Sequence, residues 1–266
     1  MKPKALVLQA HGSNRDLDVV EALTLAGAEP EGIPLNELRS HKTRFSEFQL
    51  LVLPGGFSYA DALGAGKLLA LDLACYFKEE ISVFVDSGRP VIGICNGFQA
   101  LVKSGILPFG MDGTKDPQRK NSSSATLTFN AQGHFECRWV TLRPVSQTCI
   151  WTKGLDDLIE CPIAHGEGNF QTSEGFPLST FASHDQIAFV YVCADGTTAN
   201  GEYPANPNGS VFDTAGICNP QGNVLGLMPH PENHIHPYQH PQWTRGIDRH
   251  SGLALFKNGV EYASQI

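Results

Sequence analysis

The segment Gly-Ile-Cys-Asn-Gly at residues 93–97 carries the strongest chemical signal in this sequence of 266 residues. It follows the Gly-x-Ser-x-Gly pattern of a nucleophile elbow, with Cys95 in the position of the serine. A sharp strand-to-helix turn exposes such a nucleophile, and small residues on either side let the backbone pack closely around it. The free N–H groups and positive dipole end of the next helix favour a thiolate. We predict that Cys95 is a nucleophile, although the pattern alone also fits a buried cysteine at an ordinary strand–helix junction.

A thiol nucleophile needs a histidine to move protons and a third group to orient that histidine. The chain has ten histidines, so position must choose among them. His230 and Glu232 flank Pro231 after the last strand-like run, at the edge where ligands bind in open α/β sheets. We predict that Pro231 keeps this segment extended, so that the two side chains face the same way and Glu232 orients the ring. By itself, the pair also fits an ordinary surface contact.

Acyl transfer further requires N–H donors for the developing oxyanion. Gly55 and Gly56 follow another strand-like run, and we predict that their N–H groups, with that of Asn96, point at the acyl carbon. Because Pro-Gly-Gly is also a frequent turn sequence, this prediction depends on the nucleophile next to it.

The elements that must position these residues alternate between strand-like and helix-like patterns. Apolar runs typical of strands occupy residues 5–9, 48–53, 91–94 and 224–228. Helical patterns occupy residues 16–25 and 67–77, the stretch from Cys95 to Ser104, and residues 253–263. This alternation predicts a doubly wound, mostly parallel α/β sheet with helices on both faces.

The middle of the chain has a different pattern, which predicts a β-rich insertion. Strand-like runs occupy residues 126–129, 135–142 and 188–193, whereas residues 113–124 and 195–210 are typical of loops. No repeat or linker is visible, so we expect one domain over residues 1–266.

Composition argues against several classes of function. The formal net charge is −8 and no Lys/Arg-rich block occurs, so nucleic acid is not the expected partner. No apolar run approaches the roughly 20 residues that span a bilayer, and the first residues do not form a signal peptide. The seven cysteines include no Cys-x-x-Cys pair, which favours reduced thiols in a cytoplasmic compartment.

Three segments together resemble the class I, triad-type glutamine amidotransferases. They are Val-Leu-Pro-Gly-Gly-Phe-Ser-Tyr-Ala-Asp at residues 52–61, Gly-Ile-Cys-Asn-Gly-Phe-Gln at residues 93–99 and Met-Pro-His-Pro-Glu at residues 228–232. Residues 135–140, 162–168 and 203–210 narrow the resemblance to the glutaminase subunits of phosphoribosylformylglycinamidine synthase. It extends over residues 5–263 and implies a flavodoxin-like sheet.

The resemblance also implies the roles of site residues. Cys95 would be the nucleophile, His230 the base and acid, and Glu232 the group that orients the histidine. The remaining implied site residues are Gly56 and Asn96 at the oxyanion, Phe57 and Gln99 near the bound glutamine, and His165 and Glu167 near the substrate pocket or partner face. Ala60 and Gly64 depart from the glycine and arginine that the family usually has there, which leaves the detail of the pocket or partner face open.

The implied reaction is hydrolysis of L-glutamine through a cysteine thioester. The released ammonia would pass to an ATP-dependent synthetase subunit, which uses ATP and Mg²⁺, in a complex with a small accessory subunit. We expect no cofactor in this chain, which has no Gly-x-x-x-x-Gly-Lys-[Ser/Thr] phosphate loop.

Three other interpretations remain open from the sequence. The chain could be a different α/β cysteine hydrolase, or a regulator without catalytic activity. The third possibility is a metal site formed by the C-terminal histidines His230, His234, His236 and His240. We expect no metal there, because three prolines interrupt this segment and no cysteine accompanies it.

Overall fold

The computed structural model describes residues 2–109, 124–173, 178–246 and 250–266. Apart from Ser124, the predicted loop at residues 113–124 lies outside these ranges. The strands within them are β1 (Lys4–Gln9), β2 (Glu29–Pro34), β3 (Leu50–Leu53), β4 (Val91–Ile94), β5 (Ala125–Thr128), β6 (Glu136–Pro144), β7 (Ile159–His165), β8 (Asn169–Thr172), β9 (Ile187–Val192), β10 (Thr214–Cys218) and β11 (Val224–Leu227). The α-helices are α1 (Asp16–Ala26), α2 (Leu35–Ser40), α3 (Lys67–Tyr76), α4 (Lys78–Asp86), α5 (Asn96–Lys103), α6 (Leu178–Ser183) and α7 (Leu253–Ala263).

Nine of these strands form one sheet in the order β2-β1-β3-β4-β11-β10-β9-β6-β7. The first five are parallel to one another, and the last four continue the sheet in antiparallel pairs. β5 and β8 pair separately. The predicted α/β sheet is confirmed, and the β-rich middle of the chain supplies most of its antiparallel half.

The order of the parallel strands determines where the helices lie. The chain moves outward in one direction from β1 to β2 and in the opposite direction from β3 to β4. Because such crossovers are right-handed, their helices cover opposite faces of the sheet. The strand order therefore reverses between β1 and β3, and in open α/β sheets ligands bind at the carboxyl ends of the strands near such a reversal.

Apolar side chains explain why the central strands are buried on both faces. Every residue of β3, β4 and β11 is buried, as expected of parallel strands beneath helices on both sides. α1 packs against α7, and α3 packs against α5. Gly27 ends α1 in the left-handed conformation, with φ of 102°. In the described ranges, no helix combines the length and apolarity needed to cross a membrane.

Candidate active site

Cys95 lies at the sharp turn between β4 and α5. Its φ of 49° and ψ of −104° are strained for a residue with a Cβ atom. The Cys95 N–H donates to the carbonyl of Leu227 over 2.8 Å, which ties the turn to the end of β11. A Cβ atom on Gly97 would lie 2.0 Å from the Leu53 carbonyl oxygen, so a larger residue does not fit there. The small residues around the cysteine are thus required by close backbone packing.

His230 and Glu232 form a buried pair just beyond β11. The Nδ1 atom of His230 donates to Oε1 of Glu232 over 2.7 Å, and the His230 N–H donates to the Pro162 carbonyl over 2.8 Å. Our prediction of an extended segment was wrong, because Pro231–Asn233 form a 3-10 turn. Pro231 occupies the first position of that turn, where its fixed φ and missing N–H are tolerated. The turn still brings the two side chains together.

The electrostatics of this pair favour a protonated histidine. Burial by itself lowers the pKa of His230, but the charges of Glu232 and Cys95 and hydrogen bonds to both side chains raise the pKa above its ordinary value. The second carboxylate oxygen of Glu232 is buried without a hydrogen-bond partner among the described residues. The Glu232 carboxylate is therefore directed at His230.

Cys161, which is also buried near Glu232, has the opposite environment from an activated thiol. Burial and the negative charge of Glu232 raise the pKa of the Cys161 thiol well above its usual range. Cys161 is consequently an unreactive thiol.

The predicted oxyanion residues converge on the same turn. A Cβ atom on Gly55 would lie 2.6 Å from Cε1 of His230 and 3.5 Å from Cβ of Cys95. Gly56 has a φ of 130° and lines the pocket beside Cys95. Asn96 is the first residue of α5, so its N–H lacks an acceptor within the helix. Gly56 and Asn96 thus both lie next to Cys95, where their N–H groups could donate to an oxyanion.

A pocket of about 170 Å³ adjoins the Cys95 thiol. Its walls include three residues that the sequence assigned to the substrate, namely Phe57, Gln99 and His165. Phe57 is partly exposed and stacks against Phe135, with ring centroids 6.3 Å apart. Gln99 is buried, accepts from Asn96 Nδ2 over 3.1 Å and donates to the Glu167 carbonyl over 2.7 Å. The predicted substrate residues therefore share one cavity with the nucleophile.

His165 has a defined tautomer in this pocket. Asn130 donates from Nδ2 to the carbonyls of His134 and His165, so its Oδ1 atom is left to accept. That oxygen accepts from the Gly168 N–H over 3.0 Å and from Nδ1 of His165 over 3.1 Å. Burial and the nearby charge of His230 lower the pKa of His165 to about 3. The ring is consequently neutral, and its Nε2 atom has no hydrogen-bond partner among the described residues.

The sequence reasoning missed Ser58 and Asp61, which also serve this site. Ser58 donates to Oδ1 of Asn96 from its N–H over 3.2 Å and from its hydroxyl over 2.5 Å. Asp61 lines the pocket and accepts from Asn96 Nδ2 over 3.0 Å. Both follow Gly56 closely, so their place in the same motif was the available signal.

The four C-terminal histidines do not converge on one point, although the rings of His234 and His240 lie 5.3 Å apart and both contact Glu160. His236 contacts Glu21, and His240 contacts Glu160 over 2.9 Å. The Nδ1 atom of His234 donates to the Glu160 carbonyl over 2.5 Å, while His230 faces Glu232. Across the described ranges, no group of three His, Cys, Asp or Glu side chains is arranged to hold a metal ion.

A cysteine at a strained strand–helix turn, beside a buried His–Glu pair on this sheet, is the arrangement expected of a class I glutamine amidotransferase. The model of the CobB/CobQ-like glutamine amidotransferase domain matches residues 2–263, and the chain belongs to that family.

Relatives with recorded names narrow the comparison. The chain is 57% identical to the phosphoribosylformylglycinamidine synthase subunit PurQ of Treponema denticola, over 98% of this chain and 99% of that protein. It is 42% identical to the subunit of the same name from Dehalococcoides mccartyi, over 100% of this chain and 99% of that protein. Among solved structures it is similar to a chain of PurLQS from Thermotoga maritima, with a TM-score of 0.73 and 29% identity over 98% of this chain and 99% of that one.

Proposed function

We propose that this chain is the glutaminase subunit of a phosphoribosylformylglycinamidine synthase and hydrolyses L-glutamine to glutamate and ammonia. The observation that carries the proposal is the contact of Cys95, at its strained turn, with His230, which is in turn hydrogen-bonded to the buried Glu232. Identity to PurQ subunits over nearly the whole chain supports the same function.

In the proposed reaction, each of these groups has one role. The Cys95 thiolate attacks the side-chain carbonyl carbon of glutamine, and the N–H groups of Gly56 and Asn96 stabilise the oxyanion. His230, held by Glu232, gives its proton to the departing ammonia and leaves a thioester on Cys95. The same histidine then takes a proton from water, which attacks the thioester and releases glutamate.

The ammonia requires a second protein. We propose that the whole chain, residues 1–266, is one amidotransferase domain that docks on an ATP-dependent synthetase subunit, together with a small accessory subunit. The synthetase would use ATP and Mg²⁺ to convert formylglycinamide ribonucleotide to its amidine in the cytoplasm. The relative described as PurLQS supports an assembly of this kind.

The two half-reactions can be tested separately in a complex reconstituted from the three subunits. With glutamine as nitrogen source, the wild-type complex should form the amidine and the Cys95→Ser complex should not. With ammonium chloride, both complexes should form it, because the synthetase does not need the thiol. Failure of the wild-type complex to use glutamine would refute the proposed function.

A further inference from the structure

Asp61 lies in an unusual backbone segment next to the pocket. Tyr59, Ala60 and Asp61 all have left-handed φ angles, of 55°, 54° and 53°. Each such non-glycine residue is unfavourable and persists only where neighbouring contacts fix it. The Tyr59 N–H donates to the His11 carbonyl over 2.6 Å, and the Tyr59 hydroxyl donates to Asp72. The fold thus maintains a strained turn that ends at one carboxylate.

That turn places Asp61 close to the nucleophile. Its side chain lines the pocket that Cys95 and Gln99 also line. Its Oδ1 atom is 3.0 Å from Nδ2 of Asn96, the residue that directly follows Cys95. The thiol and this carboxylate therefore line the same cavity.

The two pocket carboxylates differ in their partners. Glu167 has a cation, because Lys103 Nζ lies 3.3 Å from its Oε2 atom. For Asp61, no Lys, Arg or His nitrogen of the described chain lies within ion-pair distance. Burial raises the pKa of Asp61, and the charge of Glu167 adds to that rise, whereas hydrogen bonds from Gly66 and Asn96 and the charge of Lys103 oppose it. In the wall of the pocket, Asp61 is therefore a carboxylate without an ion-pair partner of its own among the described residues, because the nearby Lys103 pairs with Glu167.

We propose that Asp61 is a specificity-determining residue that binds the α-ammonium group of the glutamine substrate. This inference rests on the proposed function. The ammonium is the only cation on glutamine, and it lies a few bonds from the carbon that Cys95 attacks. Binding forms a charge-assisted hydrogen bond to a carboxylate that has no ion-pair partner of its own among the described residues. An amide without the ammonium leaves the desolvated Asp61 carboxylate with only its hydrogen bonds from Gly66 and Asn96, so the pocket selects amino-acid amides.

The test compares glutamine with glutaramate, which has the same amide and carboxylate but lacks the α-ammonium. The matched variants are Asp61→Asn, which removes the charge in the pocket, and Asp72→Asn, which alters only the outer anchor of the same turn. Wild type and Asp72→Asn should prefer glutamine in kcat/KM by about 30-fold or more. Asp61→Asn should lose most of that preference through a higher KM for glutamine, with kcat changed by less than about threefold.

Two outcomes would overturn the proposal. One is an Asp61→Asn variant whose preference is unchanged, or whose rates with both amides fall equally, as a purely structural role requires. The other needs no variant: wild type that uses glutaramate as efficiently as glutamine. Absence of all glutamine hydrolysis by wild type in the complex would instead refute the proposed function.

Discussion

In the His230–Glu232 pair, the histidine would transfer protons and the glutamate would orient its ring. We expect His230→Ala to lower kcat for glutamine hydrolysis on the order of 10⁴–10⁶-fold, because members of a catalytic unit fail together. Glu232→Gln should cause a loss about 10 to 100 times smaller, since that carboxylate orients the ring and does not transfer the proton. Steady-state glutamate release measures both losses. A fully active His230→Ala variant would contradict the triad.

Because the His165 ring is buried and neutral, we predict that the protein loses stability in acid. Its pKa of about 3 in the folded chain is below the ordinary value of 6.5, so the unfolded chain binds a proton that the folded chain does not. The resulting stability is complete above about pH 6.5 and is lost as the pH falls toward 3, at about 1.4 kcal/mol per pH unit. His165→Gln should remove this part of the pH dependence.

Urea unfolding at about pH 7 and at about pH 5 measures how much the free energy of unfolding changes between these two pH values. The exposed His184 provides the control, since His184→Gln should unfold with the same pH dependence as wild type. If the free energy of unfolding changes with pH equally in His165→Gln and wild type, the His165 ring is not held neutral by burial.

Among the structural elements, the junction of β4 and α5 is a place where close packing and helix propensity favour different residues. Alanine is favoured over glycine in a helix by about 1 kcal/mol, so propensity alone predicts that Gly97→Ala stabilises the protein. Its Cβ atom would lie 2.0 Å from the Leu53 carbonyl oxygen, and we expect the clash to win by about 3 kcal/mol or more. Gly166→Ala is the control, because its Cβ atom meets only Phe135, at 3.9 Å. Thermal unfolding measures both, and a more stable Gly97→Ala variant would contradict the packing at the junction.

The elements differ in how clearly the sequence predicts them. β4 and α7 have the bounds that their apolar patterns predict, because both bury a continuous face in the core. β2 was missed: its sequence Glu-Pro-Glu-Gly-Ile-Pro buries only Ile33. Among the described strands it pairs only with β1, and as an edge strand it tolerates two prolines, so neither alternation nor β propensity reveals it.

The site was predictable where chemistry depends on local sequence and unpredictable where it depends on folding. Cys95 and His230 are recognisable because each follows a buried strand. The position of Asp61 beside Asn96 and the hydrogen bond between His165 and Asn130 depend on contacts between segments far apart in the chain. The 3-10 turn after His230 was missed because one proline is compatible with both an extended segment and a first helical position.

For the whole molecule, the proposed docking predicts activity that depends on a partner. Free ammonia is lost to water, and this chain has no phosphate loop with which to use it. We expect weak glutamate release by the isolated chain and a rise of at least about tenfold in the complex with nucleotide and ribonucleotide bound. Docking would increase the population in which Gly56 presents its N–H to the oxyanion. Equal rates in the two preparations would refute this coupling without affecting the triad.

The central claim is that Cys95 is the nucleophile for glutamine. The chain contains its own comparison, because Cys75 and Cys137 are exposed whereas Cys95 is buried in the pocket. A general alkylating reagent should therefore favour the two exposed thiols.

The most direct measurement is peptide mapping after treatment with a glutamine-like chloroketone. We predict that Cys95 is labelled before the other six cysteines, that activity falls in proportion, and that glutamine protects the thiol. In the Cys95→Ser protein, the rapid labelling should disappear and no glutamate should be released. Rapid labelling of Cys137 or Cys218 with Cys95 unmodified, or a Cys95→Ser protein that still hydrolyses glutamine, would contradict the claim.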